Sequence, residues 1–138
     1  MVFVRENVAM DETDLKILRI LRENSRIKYV QIAKKVGLSE GAVRRRIRKL
    51  LDESIIKKFT IETAAEVEGI VLIKTDPTKT GEAVSKIRKM TDKTFEVSGD
   101  YDIAAFIQAY TIEELNKKVD EIRKLPSVLS TNTLIRMK

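Results

Sequence analysis

The sequence predicts an α+β protein in two parts, an N-terminal winged helix-turn-helix joined to a ferredoxin-like βαββαβ unit. Three observations carry that reading. Apolar residues recur at helical spacing through the first third, whereas short β-branched runs alternate with helical patterns from residue 70 onward. A glycine-containing tight turn, Gly37-Leu38-Ser39, joins two short helical segments. Charge divides along the same line: residues 1 to 60 hold 15 Lys and Arg against 8 Asp and Glu, and residues 61 to 138 hold 12 against 13. The first part is therefore the one suited to face a polyanion.

Residues 1–9 read as an extension before the first helix. Asp11 to Glu23 carries Leu15, Ile17, Leu18 and Leu21 at helical spacing, and Asp11 followed by Asp14 gives an acidic start. Tyr29 to Val36 is a second, shorter helix presenting Ile32, Ala33 and Val36, ended by Gly37 in the left-handed conformation. Ser39 is the N-cap of a third helix reaching about Glu53, with Val43, Ile47, Leu50 and Leu51 as its apolar stripe. The β-branched stretch Ile55 to Ile61 is expected as a small wing or strand, closing a first domain at residues 1–61. Residues 62–69, acidic and without periodicity, are placed as a linker.

The second domain is expected over residues 70–138. Ile70 to Thr75 is a buried-type strand, and Asp76-Pro77 turns into a helix reaching about Thr91 with Ala83, Val84, Ile87 and Met90 inward. Phe95 to Ser98 and Ile103 to Tyr110 are strands joined through Gly99-Asp100-Tyr101-Asp102. Thr111 and Glu114 form a capping box for a helix carrying Leu115, Val119 and Ile122; Pro126 follows it, and Val128 to Met137 is the last strand. In this strand and helix order two helices cover one sheet face, and the other face is left for a partner, most simply a second copy.

Composition removes several classes of function. With no Cys and no His there is no disulfide, thiol chemistry, histidine acid-base catalysis or Cys/His zinc site. No apolar run approaches the roughly 20 residues of a membrane span, and Met1 to Ala9 lacks the apolar stretch of a signal peptide, so a cytoplasmic location without membrane partners is expected. Asp100 and Asp102 are paired acids, but no nucleophile, metal cluster or phosphate-cradling loop accompanies them, so no catalytic or metal residue and no cofactor is assigned.

The strongest local signal is Arg44-Arg45-Arg46-Ile47-Arg48-Lys49 in the third helix. Opposite the apolar stripe lie Arg45, Arg48 and Lys49, with Gly41 on the same side, where its missing side chain lets the backbone approach a groove. Arg44 and Arg46 fall on the flanks, within reach of phosphates. The DNA-contacting set expected is Ser39, Gly41, Arg44, Arg45, Arg46, Arg48 and Lys49, on double-stranded DNA.

Asp14-Leu15-Lys16-Ile17-Leu18, Gln31 to Ser39, Val43 to Leu50 and Ile55-Ile56-Lys57 together resemble the winged helix-turn-helix of the Lrp/AsnC, or feast/famine, family of transcriptional regulators, and the second half resembles that family's sensing domain. The resemblance implies assembly as dimers through the sensing domain, and often as tetramers or octamers, with DNA bound by dimers and amino acids as effectors. It also implies an effector region at Gly99, Asp100, Tyr101 and Asp102, matching the family's Gly-x-x-Asp loop, and at Thr131 and Thr133. Read without the resemblance, the loop is a strand-connecting turn and the threonines are ordinary strand residues. The sequence departs from the family pattern at Ser54, where many relatives have Gly, at Lys28, where Ser or Thr is common, and in residues 63–68, which lack an Asn-Pro. Two functions fit: a sequence-specific regulator responding to an amino acid, and an architectural DNA-binding protein without a ligand response.

Overall fold

In the computed structural model of the chain, residues 2–5, 8–64 and 66–138 are described, with side chains from residue 9 onward. The chain divides into two compact units, residues 1–62 and 63–138.

The first unit opens with a hairpin, where the sequence suggested only an extension: β1 (Val2–Arg5) pairs antiparallel with β2 (Val8–Met10). Three helices follow, α1 (Glu12–Glu23), α2 (Tyr29–Val36) and α3 (Glu40–Asp52). Asp11 caps α1 in a reciprocal box with Asp14, each carboxylate accepting the other's backbone N–H. Gly37 ends α2 at φ 72°, and Ser39 Oγ accepts from Ala42 N at 3.1 Å to start α3. Ile17, Leu21, Ile32, Ala33, Val43 and Ile47 form the shared core. Leu51, placed on the stripe by spacing, is 39% exposed and lies outside it.

The expected wing is absent among the described residues: 55–61 carry no strand. Instead α3 ends in a turn in which Ser54 N donates to Leu51 O and Ile55 N to Leu50 O, with Ser54 at φ 57°. That turn directs the half-buried Ile56 onto the helical core. The rest of the segment pairs with no strand among the described residues.

The second unit is an antiparallel sheet in the order β4-β5-β3-β6, built from β3 (Val67–Thr75), β4 (Lys93–Glu96), β5 (Ile103–Ala109) and β6 (Val128–Ile135). Helices α4 (Thr80–Ile87) and α5 (Ile112–Arg123) supply the two crossovers of the ferredoxin-like arrangement. Val71 and Ile73 of β3 and Ile103, Ala105, Ile107 and Ala109 of β5 meet Ala83, Val84 and Ile87 of α4 and Leu115, Val119 and Ile122 of α5 in one core.

Several boundaries shift. β3 starts at Val67, so residues 67–69 belong to the sheet and the expected linker of 62–69 is shorter. Gly69 lies in that strand because a Cβ there would stand 3.1 Å from Leu115 Cδ1 and 3.3 Å from Leu134 O. β4 occupies residues 93–96, earlier than expected, and α4 ends at Ile87, short of Thr91. At α5, Glu114 N donates to Thr111 Oγ1, while the Glu114 carboxylate accepts from Tyr110 N, so the expected box closes one residue earlier.

Candidate nucleic-acid interface and effector region

Helix α3 rests on its apolar stripe, with Val43, Ile47 and Leu50 at most 2% exposed. Helical geometry then sends the intervening cations outward. Arg45, Arg48 and Lys49 are exposed, and no ion-pair partner is found for them among the described residues. Arg45 lies back along Gly41: its Nη1 is 3.5 Å from where a Cβ on that glycine would sit. The room attributed to groove approach is thus shared with Arg45. Ser39 spends its hydroxyl on the cap.

The flanking arginines differ. Arg44 pairs with Glu40 at 2.7 Å and lies over the Tyr29 ring at 5.3 Å, which holds it on the α2 side. Arg46, expected on the phosphate flank, has partners within the unit: its Nη1 donates to Asp11 Oδ2 at 2.6 Å and to Asp14 Oδ1 at 3.1 Å. That guanidinium, first through its hydrogen bond, holds the Asp11 carboxyl below the usual carboxylate range. Asp11, Asp14, Ala42, Arg45, Arg46 and Lys49 line a shallow depression of about 380 Å³ beside the helix.

In the second unit the turn 99–102 is anchored, not free. Gly99 has φ 116°, which only glycine adopts without strain. Asp102 Oδ2 accepts from Thr75 N at 2.9 Å and from Thr75 Oγ1 at 3.4 Å, and Asp102 N donates to Ile73 O. The Tyr101 ring sits 5.8 Å from Lys74 Nζ. Asp100 is exposed. On β6, Thr131 lies opposite Ile73 and Thr133 opposite Val71, so both share the helix-covered face. Thr131 Oγ1 accepts from Arg123 Nε at 2.9 Å, whereas the buried Thr133 Oγ1 has no hydrogen-bond partner among the described residues. Ile73 is flanked by Ile103 on one side and Thr131 on the other, which brings the turn and Thr131 to one end of the sheet.

Residues 10–51 match the AsnC-type helix-turn-helix domain. The HTH-type transcriptional regulator LysM of Sulfurisphaera tokodaii is 47% identical over 131 residues, which cover 91% of this chain and 94% of that protein. The chain belongs to the Lrp/AsnC family.

This Lrp/AsnC protein is also 36% identical to the HTH-type transcriptional regulator FL11 of Pyrococcus horikoshii, over 95% of the chain and 91% of the relative. Among solved structures, PH0061 superposes with a TM-score of 0.82 at 24% identity, covering 95% of both chains. The regulator NMB0573 from Neisseria meningitidis, solved as an L-Met complex, superposes with a TM-score of 0.73 at 21% identity over 94% of this chain and 91% of its own. These two likenesses establish the fold. The Lrp/AsnC protein is thus a DNA-binding regulator of transcription and not an enzyme, and no helix among its described residues is long and apolar enough to cross a membrane.

Sequence reasoning missed the partners of the arginines. Glu40 stands four residues before Arg44, a spacing that identifies the pair in advance. Nothing local connects Arg46 to carboxylates 35 and 32 residues away.

Proposed function

We propose that the protein is a sequence-specific regulator that reads DNA through α3 and responds to an amino acid through its second unit. The observation that carries the reading is the outward row of Arg45, Arg48 and Lys49, three cations without acidic partners among the described residues, on the second helix of a tight-turn pair. Arg45 reads a base edge, since a guanidinium fork fits guanine bidentately, and Arg48 and Lys49 hold phosphates. Ser39, Gly41 and Arg44 support the approach from the N-terminal turn of the helix. A dimer then places two α3 helices in successive major grooves, with half-sites about 34–36 Å apart or a multiple of that. The test is selection of binding sequences from a random duplex pool, followed by gel shifts at several salt concentrations. The expected product is a two-fold symmetric site bound more tightly than random DNA. Equal affinity for both would favour the architectural reading.

The amino-acid response is supported by the L-Met complex of a structural neighbour and by the turn 99–102 with Thr131 and Thr133. Asp100 presents a carboxylate suited to an ammonium group, while Gly99 and Tyr101 shape the turn whose amides suit a carboxylate. Asp102 acts through the turn, because its carboxylate is already used by Thr75. The unpartnered Thr133 hydroxyl is the group a ligand would satisfy. Effector binding shifts the assembly of dimers, which requires different affinity for the two assembly states.

A further inference from the structure

The apolar stripe of α3 sets which face of the helix meets the core, and the last degrees of its rotation are left to bonds with a preferred direction. A few degrees of rotation move the tips of Arg45 and Lys49 sideways by up to about 1 Å, enough to spoil the geometry of a hydrogen bond to a base edge. Directional bonds are needed, and among the described residues Arg46 supplies the ones that join α3 to α1.

Their geometry is closed. Asp11 Oδ1 accepts from Asp14 N at 2.8 Å, and its Oδ2 accepts from Arg46. Asp14 Oδ2 accepts from Asp11 N at 3.2 Å, and its Oδ1 accepts from Arg46. Each carboxylate gives one oxygen to the α1 cap and the other to the α3 guanidinium, so neither can turn without breaking a bond. Arg46 lies next to Arg45 and three residues before Lys49, and all three line the same depression. Turning Arg46 toward a phosphate would abandon two charge-assisted bonds and leave the Asp14 carboxylate, whose side chain is only 13% exposed, without its cation.

We infer that Asp11, Asp14 and Arg46 form a clamp that sets the rotation of the recognition helix, making Arg46 a positioning residue and not a DNA contact. This rests on the reading of α3 as the helix that meets DNA.

The test compares Arg46→Gln/Asp14→Asn, Asp14→Asn alone, Arg46→Lys and Arg45→Ala in the full chain. Each binds the selected duplex and a random duplex across a salt series. The double variant removes one charge of each sign and so keeps the net charge. The clamp predicts that its preference for the selected duplex falls roughly tenfold while the salt slope is unchanged. Asp14→Asn also loses preference, although deletion of an acid near DNA would by charge alone tighten binding to every sequence. Arg46→Lys loses preference too, because Nζ lies one bond nearer the backbone than the Nη1 that reaches both carboxylates, so the ammonium falls short of the pair. A slope reduced by about 0.9 per protomer in the double variant, with preference intact, would overturn the proposal, since that is the mark of a lost phosphate contact. So would wild-type preference in both Asp14→Asn and Arg46→Lys. Arg45→Ala separates the two readings: preference unaltered there removes α3 as the reader, whatever the clamp variants do.

Discussion

At the scale of single residues, two departures from the family pattern are conformational statements. Ser54 occupies the left-handed position that closes α3, φ 57°, where many relatives carry Gly. A side chain in that region costs about 1–2 kcal/mol, and glycine gives back part of the gain through its more flexible unfolded chain. Ser54→Gly is therefore expected to stabilise the first unit by about 1 kcal/mol, raising its thermal midpoint by roughly 4 °C in calorimetry. A lower midpoint would mean that the serine makes a contact more valuable than the strain. Lys28 precedes α2 with no side-chain oxygen to offer the helix; its carbonyl accepts from Gln31 N and Ile32 N, and its own N donates to Gln31 Oε1 at 3.4 Å. Lys28→Ser adds the missing acceptor and is expected to contribute about 1 kcal/mol, read as a higher urea midpoint at unchanged slope.

Among the elements, α3 was the most legible in the sequence because its residues answer to one another over three or four positions. The Ser39 cap, the buried stripe of Val43, Ile47 and Leu50, and the outward Arg45, Arg48 and Lys49 all follow from helical spacing. What escaped was set by contacts at long range. Arg46 turns to α1 because two carboxylates wait there, and residues 55–61 pair with no strand among the described residues. The 62–69 boundary moved for a related reason: β3 extends back to Val67 by pairing Val67 and Glu68 with Ala109 and Gln108 of β5, which composition does not encode. The clamp between α1 and α3 also has a pH consequence. Arg46 and the backbone of Asp14 depress the Asp11 pKa, so its contribution to stability is complete above the ordinary carboxylate range and is lost as pH falls through the lowered folded value. Asp11→Asn should therefore lower the neutral-pH stability of the first unit and flatten its acid limb, followed by circular dichroism, because the group whose titration costs stability is gone. A profile that keeps the wild-type acid limb would show that the pair contributes nothing to folding.

For the whole molecule, the uneven charge and the bare sheet face belong to one design. The first unit concentrates cations on α3, and the near-neutral second unit leaves Ile70 42%, Phe95 56% and Leu134 50% exposed. Register puts these on one surface: Ile70 lies between Phe106 and Leu134, and Phe95 lies opposite Ala104, which in turn faces Leu72. An apolar surface running across all four strands of a small unit is expected to be a contact surface, and its two-fold pairing would also supply the two α3 helices that a symmetric DNA site demands. Ile70→Glu tests this because the position is central to that face yet partly open to solvent, so the change costs an isolated unit little while placing an unpaired charge in any face-to-face contact. Sedimentation is expected to show a dimer or larger for the wild type and a monomer for Ile70→Glu. Binding to a duplex with two half-sites should then weaken by about 10²-fold or more, because the second site loses the effective concentration that linkage provides. Binding to a single half-site should be unchanged, since Arg45, Arg48 and Lys49 are untouched. If the variant sediments as the wild type does, the sheet face is not the assembly surface.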